Sequence, residues 1–175
     1  MAVVHRVMLM KWQRSGAGRL IKVSFYKDRN DTKTIRFFDY DEKRLVRFLR
    51  KCHVELIHVE HLLNAELYML SIHQELHVPL IVTLHDYYFV CPYIQLTDEN
   101  DVYCGEQGDK SCNECLTRRG FYFVTLGKQI KDIKEWRKYW LSFLKEASLI
   151  IVPSKDMEQR IKNYFPFFSI HMRES

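Results

Sequence analysis

Short runs of consecutive apolar residues, most of them β-branched, alternate with amphipathic helical stretches along most of this 175-residue chain. Two such runs lie at residues 80–84 and 149–152, and residues 54–59 form a third short stretch that is mostly apolar. Strands that are apolar on both faces are typical of a parallel sheet covered by helices on both sides. The alternation therefore predicts an α/β fold built on a doubly wound parallel sheet.

The first forty residues follow a different pattern, in which short alternating strands are separated by turn-forming residues. The sequence SGAG at 15–18 predicts a hairpin turn. A dinucleotide-binding loop would have to open a helix, whereas the residues that follow this turn alternate with a period of two. We predict a single domain over residues 1–175, with residues 1–40 as less regular β segments at one edge of the sheet.

Helical periodicity marks several stretches between and after the strands. Asn64 is a favoured capping residue, and it is expected to begin a helix that runs towards the strand at 80–84. Apolar residues at helical spacing from Leu126 to Ala147 predict one helix of about six turns. Ser154 is expected to cap a further helix, Lys155–Tyr164, which Pro166 ends.

Polar side chains follow three of the predicted strands, where each strand ends. Glu60 and His61 follow the first, His85 and Asp86 the second, and Ser154 the third. Right-handed crossovers bring the carboxyl ends of parallel strands to one edge, and ligands of such sheets bind there. Histidine at that edge can donate a hydrogen bond to a hydroxyl or a phosphate, and an aspartate can orient it. The alternative for the His85-Asp86 pair is a purely structural role.

Four of the five cysteines lie in a polar segment, residues 91–115, which is predicted to be a loop. They are Cys91, Cys104, Cys112 and Cys115. The last two form a CNEC sequence whose spacing suits one tetrahedral metal ion. Since the segment has few apolar residues to order it, we predict one structural zinc ion held by the four thiolates. Four thiolates close the coordination shell, so this zinc would not be catalytic. Packed cysteines without metal, an iron–sulfur cluster and disulfides remain alternatives.

The chain is mildly basic, with a formal net charge of +5 and a pI near 8.9. That charge suits a nucleic acid, an anionic membrane or a phosphorylated small molecule, and selects none of them. No apolar run reaches the roughly 18 residues of a membrane-spanning helix, and the start lacks the order of a signal peptide. We expect a cytoplasmic protein. Basic helical faces around 43–51 and 128–138 are interleaved with acids and are expected to face solvent, with an anionic membrane surface as the alternative partner.

Several motifs together resemble glycosyltransferase family 4. They are IHVEHLLN at 57–64, VTLHDYYFVCP at 82–92, CNECL at 112–116, WRKYW at 136–140 and LIIVPSKDMEQRI at 149–161. The resemblance covers roughly residues 38–171. Within the family, the motifs resemble more specifically the bacterial members in which a cysteine-rich loop follows the HDY sequence. It implies the GT-B fold, in which two Rossmann-like domains face a cleft.

The resemblance also implies an activity and roles for the edge residues. Enzymes of this kind transfer a sugar from a nucleotide sugar to a glycan or lipid acceptor, retain its anomeric configuration, and use no metal in the chemistry. Their amino-terminal domain mainly binds the acceptor. His85 would face the cleft near the transferred sugar with Asp86 supporting it, which makes these two the expected catalytic residues. Glu60, His61 and Ser154 are the expected substrate-binding residues.

The domain that binds the nucleotide sugar, with its paired-glutamate motif, is not found in these 175 residues. Glu106 and Glu114 match the spacing of that motif, but they lie in the cysteine segment without the required strand and helix. We therefore expect the acceptor-binding half of such an enzyme, inactive alone because positioning both substrates is much of the catalysis. The alternative is a zinc-bearing nucleic-acid-binding or protein-interaction module without activity. Because the aromatic residues lie at core spacing, no nucleic-acid partner is predicted.

Overall fold

The computed structural model describes residues 7–15, 18–26, 32–38, 42–61, 70–106, 108–119, 123–125, 128–130, 132–166 and 170–172. The chain divides into two compact units, Met1–His53 and Val54–Ser175. The single domain over residues 1–175 stays a prediction.

The first unit contains an antiparallel sheet of three strands and one helix. The strands are β1 (Val7–Ser15), β2 (Gly18–Tyr26) and β3 (Thr32–Phe38), and the helix is α1 (Glu42–Lys51). The sheet order is β1-β2-β3, and Ser15 pairs with Gly18 across a two-residue connection. The predicted hairpin turn is therefore confirmed. The strands are longer and more regular than expected, because a tight hairpin lets nine residues of each strand pair in continuous register.

The described residues of the second unit form six strands and four helices in the following order: β4 (Ile57–Val59), α2 (Ile72–Leu76), β5 (Leu80–Thr83), α3 (Asp109–Arg118), β6 (Phe123–Thr125), β7 (Lys128–Ile130), α4 (Ile133–Leu144), β8 (Leu149–Val152), α5 (Lys155–Tyr164) and β9 (Ile170–Met172). Four strands form a parallel sheet in the order β4-β5-β8-β9. Val82 and Val152 on its central strands are fully buried. The predicted parallel α/β sheet is confirmed.

An aromatic cluster packs the beginning of the segment after β5 against α4. Trp136 and Trp140 on α4 are buried, as are Tyr88 and Phe89. The Trp136 indole Nε1–H donates to the backbone carbonyl of Tyr88 at 2.9 Å, and the two rings meet edge to face at 5.1 Å between centroids. This contact fixes the chain immediately after the predicted catalytic dipeptide.

The helix that was predicted from Leu126 is shorter in the structure. It begins at Ile133, where the Asp132 carboxylate caps it by accepting from the backbone N–H of Lys134 at 2.6 Å. The preceding residues form an antiparallel hairpin, β6–β7, in which Thr125 pairs with Lys128. Leu126 falls at helical spacing with the later residues but lies outside the described residues, and Lys128 and Ile130, which precede the helix, are strand residues. Spacing alone could not distinguish the two arrangements.

Two other helix predictions have different outcomes. The bounds of α5 match the prediction, and the Ser154 hydroxyl accepts from the backbone N–H of Met157 at 3.2 Å as an N-cap. The predicted start of a helix at Asn64 lies outside the described residues. Only its later part, Ile72–Leu76, is described.

Candidate active site

The carboxyl ends of β4 and β5 lie side by side. These strands are parallel neighbours, with Ile57 opposite Leu80 and Val59 opposite Val82. The residues that follow each strand therefore emerge at the same edge of the sheet, which is where open α/β sheets bind their ligands. The predicted convergence of the two polar dipeptides at one edge is observed.

The four polar residues at this edge form two crossed histidine–carboxylate pairs, in which the histidine of each dipeptide contacts the carboxylate of the other dipeptide. His61 Nε2 lies 2.8 Å from Asp86 Oδ2, and His85 Nε2 lies 3.4 Å from Glu60 Oε2. Asp86 therefore supports His61, not His85 as the resemblance implied. The other oxygen of the same carboxylate, Oδ1, accepts from the backbone N–H of Tyr88 at 2.8 Å, which helps to fix the orientation of Asp86.

The His61–Asp86 pair changes the protonation of both groups. The hydrogen bond that His61 donates to Asp86, aided by the negative charge of the carboxylate, raises the pKa of His61 although burial opposes the shift. Burial of Asp86 favours its neutral form, but hydrogen bonds from His61 and from the backbone N–H of Tyr88 outweigh it and lower the pKa of the carboxyl. The pair is thus held in its ionised form over a wider pH range than either group alone.

The second pair is the more open one. The two imidazoles are almost equally exposed, 42% for His85 and 40% for His61, and the carboxylates make the difference, since Glu60 is 62% exposed and Asp86 is 21% exposed. An exposed imidazole with a carboxylate behind it can donate to or accept from a ligand hydroxyl. Of the two predicted catalytic residues, His85 is therefore placed to meet a ligand, and Asp86 is placed to hold the edge together.

Ser154 is the third predicted component of the edge. It follows β8, which is the parallel neighbour of β5, and it is exposed. Its hydroxyl oxygen caps α5 by accepting from Met157, which is a structural role. The hydroxyl can still donate to a ligand, because the cap uses it only as an acceptor.

Sequence reasoning missed two residues that extend this edge towards α5. The Tyr87 hydroxyl donates to Asp156 Oδ2 at 3.2 Å. Tyr87 follows the His85-Asp86 dipeptide directly, and Asp156 lies in the first turn of α5. The TLHDYY sequence could have pointed to Tyr87, but Asp156 looked like an ordinary acidic residue at a helix start.

The four predicted metal-binding cysteines line one cavity of about 180 Å³. None of them is in a disulfide. Burial raises the pKa of the Cys91 thiol to about 11. Within the described ranges, no group of three or more His, Cys, Asp or Glu residues is arranged to hold a metal ion.

The segment that carries these cysteines is more ordered than the predicted loop. It includes α3, which holds Cys112 and Cys115 one turn apart. Arg137 on α4 fastens it at two places, since its guanidinium donates to the Val90 carbonyl at 3.2 Å and to Asp109 at 2.5 Å. The polar composition of residues 109–118 hid the helix, because little of it is buried.

The backbone between the first and third of these cysteines is unusual. Four non-glycine residues have positive φ angles there: Ile94 (51°), Leu96 (54°), Asp101 (60°) and Glu106 (51°). Such angles are uncommon for non-glycine residues and are a genuine outlier for a β-branched one. Backbone hydrogen bonds within the segment maintain the conformation. The Tyr87 N–H donates to the Ile94 carbonyl at 3.0 Å, and the Cys104 N–H donates to the Leu96 carbonyl at 2.9 Å.

A parallel α/β sheet with ligand-capable side chains at its carboxyl edge is the architecture of one Rossmann-like half of a GT-B protein. The sequence profile described as Glycosyltransferase Family 4 matches residues 14–172, and the chain belongs to this family. Comparisons with curated proteins and with solved structures found no match. In the part of the chain that the structure describes, no helix has the length and apolar character needed to cross a bilayer.

Proposed function

We propose that this chain is the acceptor-binding half of a retaining glycosyltransferase, which transfers a sugar from a nucleotide sugar to a glycan or lipid acceptor. The family supports sugar transfer in general. The observation that carries the finer proposal is the pair of crossed histidine–carboxylate contacts at the sheet edge, because the exposed His85 imidazole has only the longer contact, 3.4 Å to the exposed Glu60, whereas His61 is held at 2.8 Å by Asp86.

In this proposal His85 contacts the transferred sugar, and Glu60 orients the imidazole ring. Hydrogen bonds from a positioned group to a hydroxyl can be worth a large rate factor when they are stronger in the transition state than in the ground state. Asp86 acts as a positioning residue through His61. The chemistry proposed here uses no metal ion.

The proposed reaction needs a nucleotide-sugar-binding domain that these 175 residues do not supply. Holding two reactants in the correct geometry can lower the activation free energy by roughly 7–11 kcal/mol, and one face of a cleft cannot provide that effect. We therefore expect no sugar transfer by the chain alone.

The test compares the chain alone with a protein that joins it to a nucleotide-sugar-binding domain. Transfer from radiolabelled nucleotide sugars to glycan and lipid acceptors is measured for both. We expect transfer only by the two-domain protein, lowered about a hundredfold or more by His85→Ala. Gln95→Ala is the matched control, because Gln95 is exposed and does not line the cavity that the cysteines form. Efficient transfer by the chain alone would contradict the half-enzyme proposal.

We propose a cytoplasmic location for this reaction, at the inner face of a membrane where the acceptor is a lipid. Exposed cations on α4, among them Lys134 and Lys138, are suited to anionic headgroups. Flotation of the protein with anionic and with neutral vesicles tests the membrane location. Failure of the protein to float with either kind of vesicle would contradict it.

We also propose that Cys91, Cys104, Cys112 and Cys115 bind one structural zinc ion. Support comes from four thiols that line one cavity and are not in disulfides. The described residues contain no group of three or more His, Cys, Asp or Glu side chains arranged as a metal site. The four thiols would therefore have to move towards one another when zinc binds. Elemental analysis of the purified protein should give about one zinc per chain. A metal-free protein whose four thiols all react freely in the native state would contradict this proposal.

A further inference from the structure

A second cavity, of about 370 Å³, opens between the chain around residues 103–106 and α5. Its polar lining includes Tyr103, Glu106, Asp156, Gln159, Arg160 and Asn163. Because α5 begins directly after β8, the cavity lies beyond the same carboxyl edge as the candidate active site. The Tyr87–Asp156 hydrogen bond connects the two places.

The charged side chains in this cavity are paired around Arg160. Its guanidinium pairs with Glu106 and with Asp156, and the Nε–Oδ2 distance to Asp156 is 2.9 Å. A third contact runs to the Tyr103 hydroxyl at 2.6 Å. Two carboxylates against one guanidinium leave the lining with a net negative charge. The cavity therefore does not attract a phosphate group, although it contains an arginine.

Other side chains in the lining have hydrogen-bonding capacity to spare. Gln159 and Asn163 lie one turn apart on α5, both are exposed, and neither side chain has a partner among the described residues. Each amide offers two donor hydrogens and one acceptor oxygen. Tyr103 is 53% exposed, and its ring is held by the Arg160 guanidinium 5.2 Å from the centroid. An exposed aromatic ring beside paired amides presents an apolar surface together with donors and acceptors.

We propose that this cavity binds a saccharide unit of the acceptor, one that is neutral or carries an amino group and is not phosphorylated. A sugar ring has an apolar face of C–H groups for Tyr103 and a series of hydroxyls for Gln159 and Asn163. Cavities of this volume lie in the range of small-molecule sites. The class of ligand rests on the proposed function, whereas the location rests on the geometry of α5 and residues 103–106.

Direct binding to the 175-residue chain tests the proposal without any need for transfer. The probes are methyl α-D-glucopyranoside, methyl α-D-mannopyranoside and glucosamine, with glucose 1-phosphate as the phosphorylated contrast, measured by saturation-transfer difference NMR. We expect at least one of the first three to bind, and glucose 1-phosphate to bind more weakly than its neutral counterpart.

Two sets of variants locate the binding. The double variant Gln159→Ala/Asn163→Ala should weaken binding about tenfold or more, and Gln95→Ala should leave it unchanged. Tyr103→Phe keeps the ring and should retain most of the binding that Tyr103→Ala loses. Far-UV circular dichroism checks that each variant is folded. Because the side chains of Gln159 and Asn163 have no partners to lose among the described residues, the double variant remains informative even if Tyr103→Ala unfolds.

Three results would overturn the proposal: no binding by any of the sugars, tighter binding of glucose 1-phosphate, or unchanged binding by the double variant. Failure here is distinct from failure of the proposed function. If one of these three results is obtained while the two-domain protein still transfers sugar, only the cavity proposal is rejected. Sugar binding without any transfer by the two-domain protein would retain the site and reject the enzyme.

Discussion

His61 Nε2 lies 2.8 Å from Asp86 Oδ2, although 25 residues separate the two in sequence. Each residue follows a different parallel strand, so the contact ties the ends of β4 and β5 together. His85 and Glu60, their neighbours in the chain, form the second pair at 3.4 Å. The edge thus contains one pair that anchors the two strand ends and one pair that remains open to solvent.

Replacing Asp86 by Asn should lower the pKa of His61 towards its ordinary value of 6.5, because the hydrogen bond and charge that raise it are weakened or lost. Titration of the histidine ring resonances by NMR measures this directly. Glu60→Gln, which removes the carboxylate beside His85, should leave the His61 pKa raised. If Glu60→Gln lowered the His61 pKa and Asp86→Asn did not, the crossed pairing would be wrong.

The same pair should give protein stability a defined pH dependence. The raised His61 pKa adds stability that is complete below 6.5 and is lost as the pH rises through the folded-state value. The lowered Asp86 pKa adds stability that is present above 3.8 and is lost as the pH falls through its folded-state value. The free energy of unfolding should therefore differ most between wild type and Asp86→Asn at pH 4 to 6.5. We expect a difference below about 1 kcal/mol, since both side chains are partly exposed. A difference that kept growing above pH 7 would contradict the assignment.

Two tryptophans on α4 allow a matched test of one buried hydrogen bond. Trp136→Phe removes the N–H that the Tyr88 carbonyl accepts, whereas the Trp140 indole N–H has no partner among the described residues. Both residues are buried, so the loss of apolar area is similar. Trp136→Phe should lower the free energy of unfolding by about 1–3 kcal/mol more than Trp140→Phe, as measured by urea denaturation. Equal effects would show that this hydrogen bond adds little to stability.

His85→Ala should change the stability of the chain by less than about 1 kcal/mol, the range of ordinary surface substitutions. Its side chain is 42% exposed and leaves the sheet at the end of a buried strand. Thermal unfolding of the isolated chain measures the effect separately from activity. A loss of several kcal/mol would identify His85 as a structural residue and remove the basis for its catalytic role.

Removal of the proposed zinc should lower the thermal stability of the cysteine segment, because metal-binding free energy is folding free energy. Cys112→Ser is expected to abolish zinc binding and to lower the melting temperature. Cys52→Ser is the control, since Cys52 lies in the first unit and should leave the zinc content unchanged. Equal zinc content in both variants would reject the four-thiolate site.

The strands and helices that sequence predicted best are those with two independent signals. The helix α5 combines an apolar strand before it, a capping serine and a periodic apolar face, and its bounds were predicted correctly. The helix α3 has neither a capping side chain nor more than one buried residue, so its sequence looked like a loop. Sequence predicts helices from what they bury, and a helix that buries little gives little signal.

The candidate site was predictable to the level of the sheet edge and no further. Strand order follows from short connections, which placed His61 and Asp86 near each other. Which carboxylate meets which imidazole depends on side-chain rotamers and on the backbone direction after each strand, and periodicity contains neither. For the same reason Asp156 was missed, since its contact with Tyr87 joins residues 69 positions apart.

The positive φ angles from Ile94 to Glu106 imply an order of events in folding. Non-glycine residues do not adopt this conformation readily on their own, so this stretch should become ordered only after contacts from outside it have formed, such as those of the Arg119 guanidinium with the Thr97 and Asp98 carbonyls. It should also be the first part of the second unit to open locally, with its amides exchanging with solvent before those of β5 and β8. Tyr103 and Glu106 belong to this stretch. One wall of the cavity beside α5 can therefore open and close while the sheet that supports His85 remains intact.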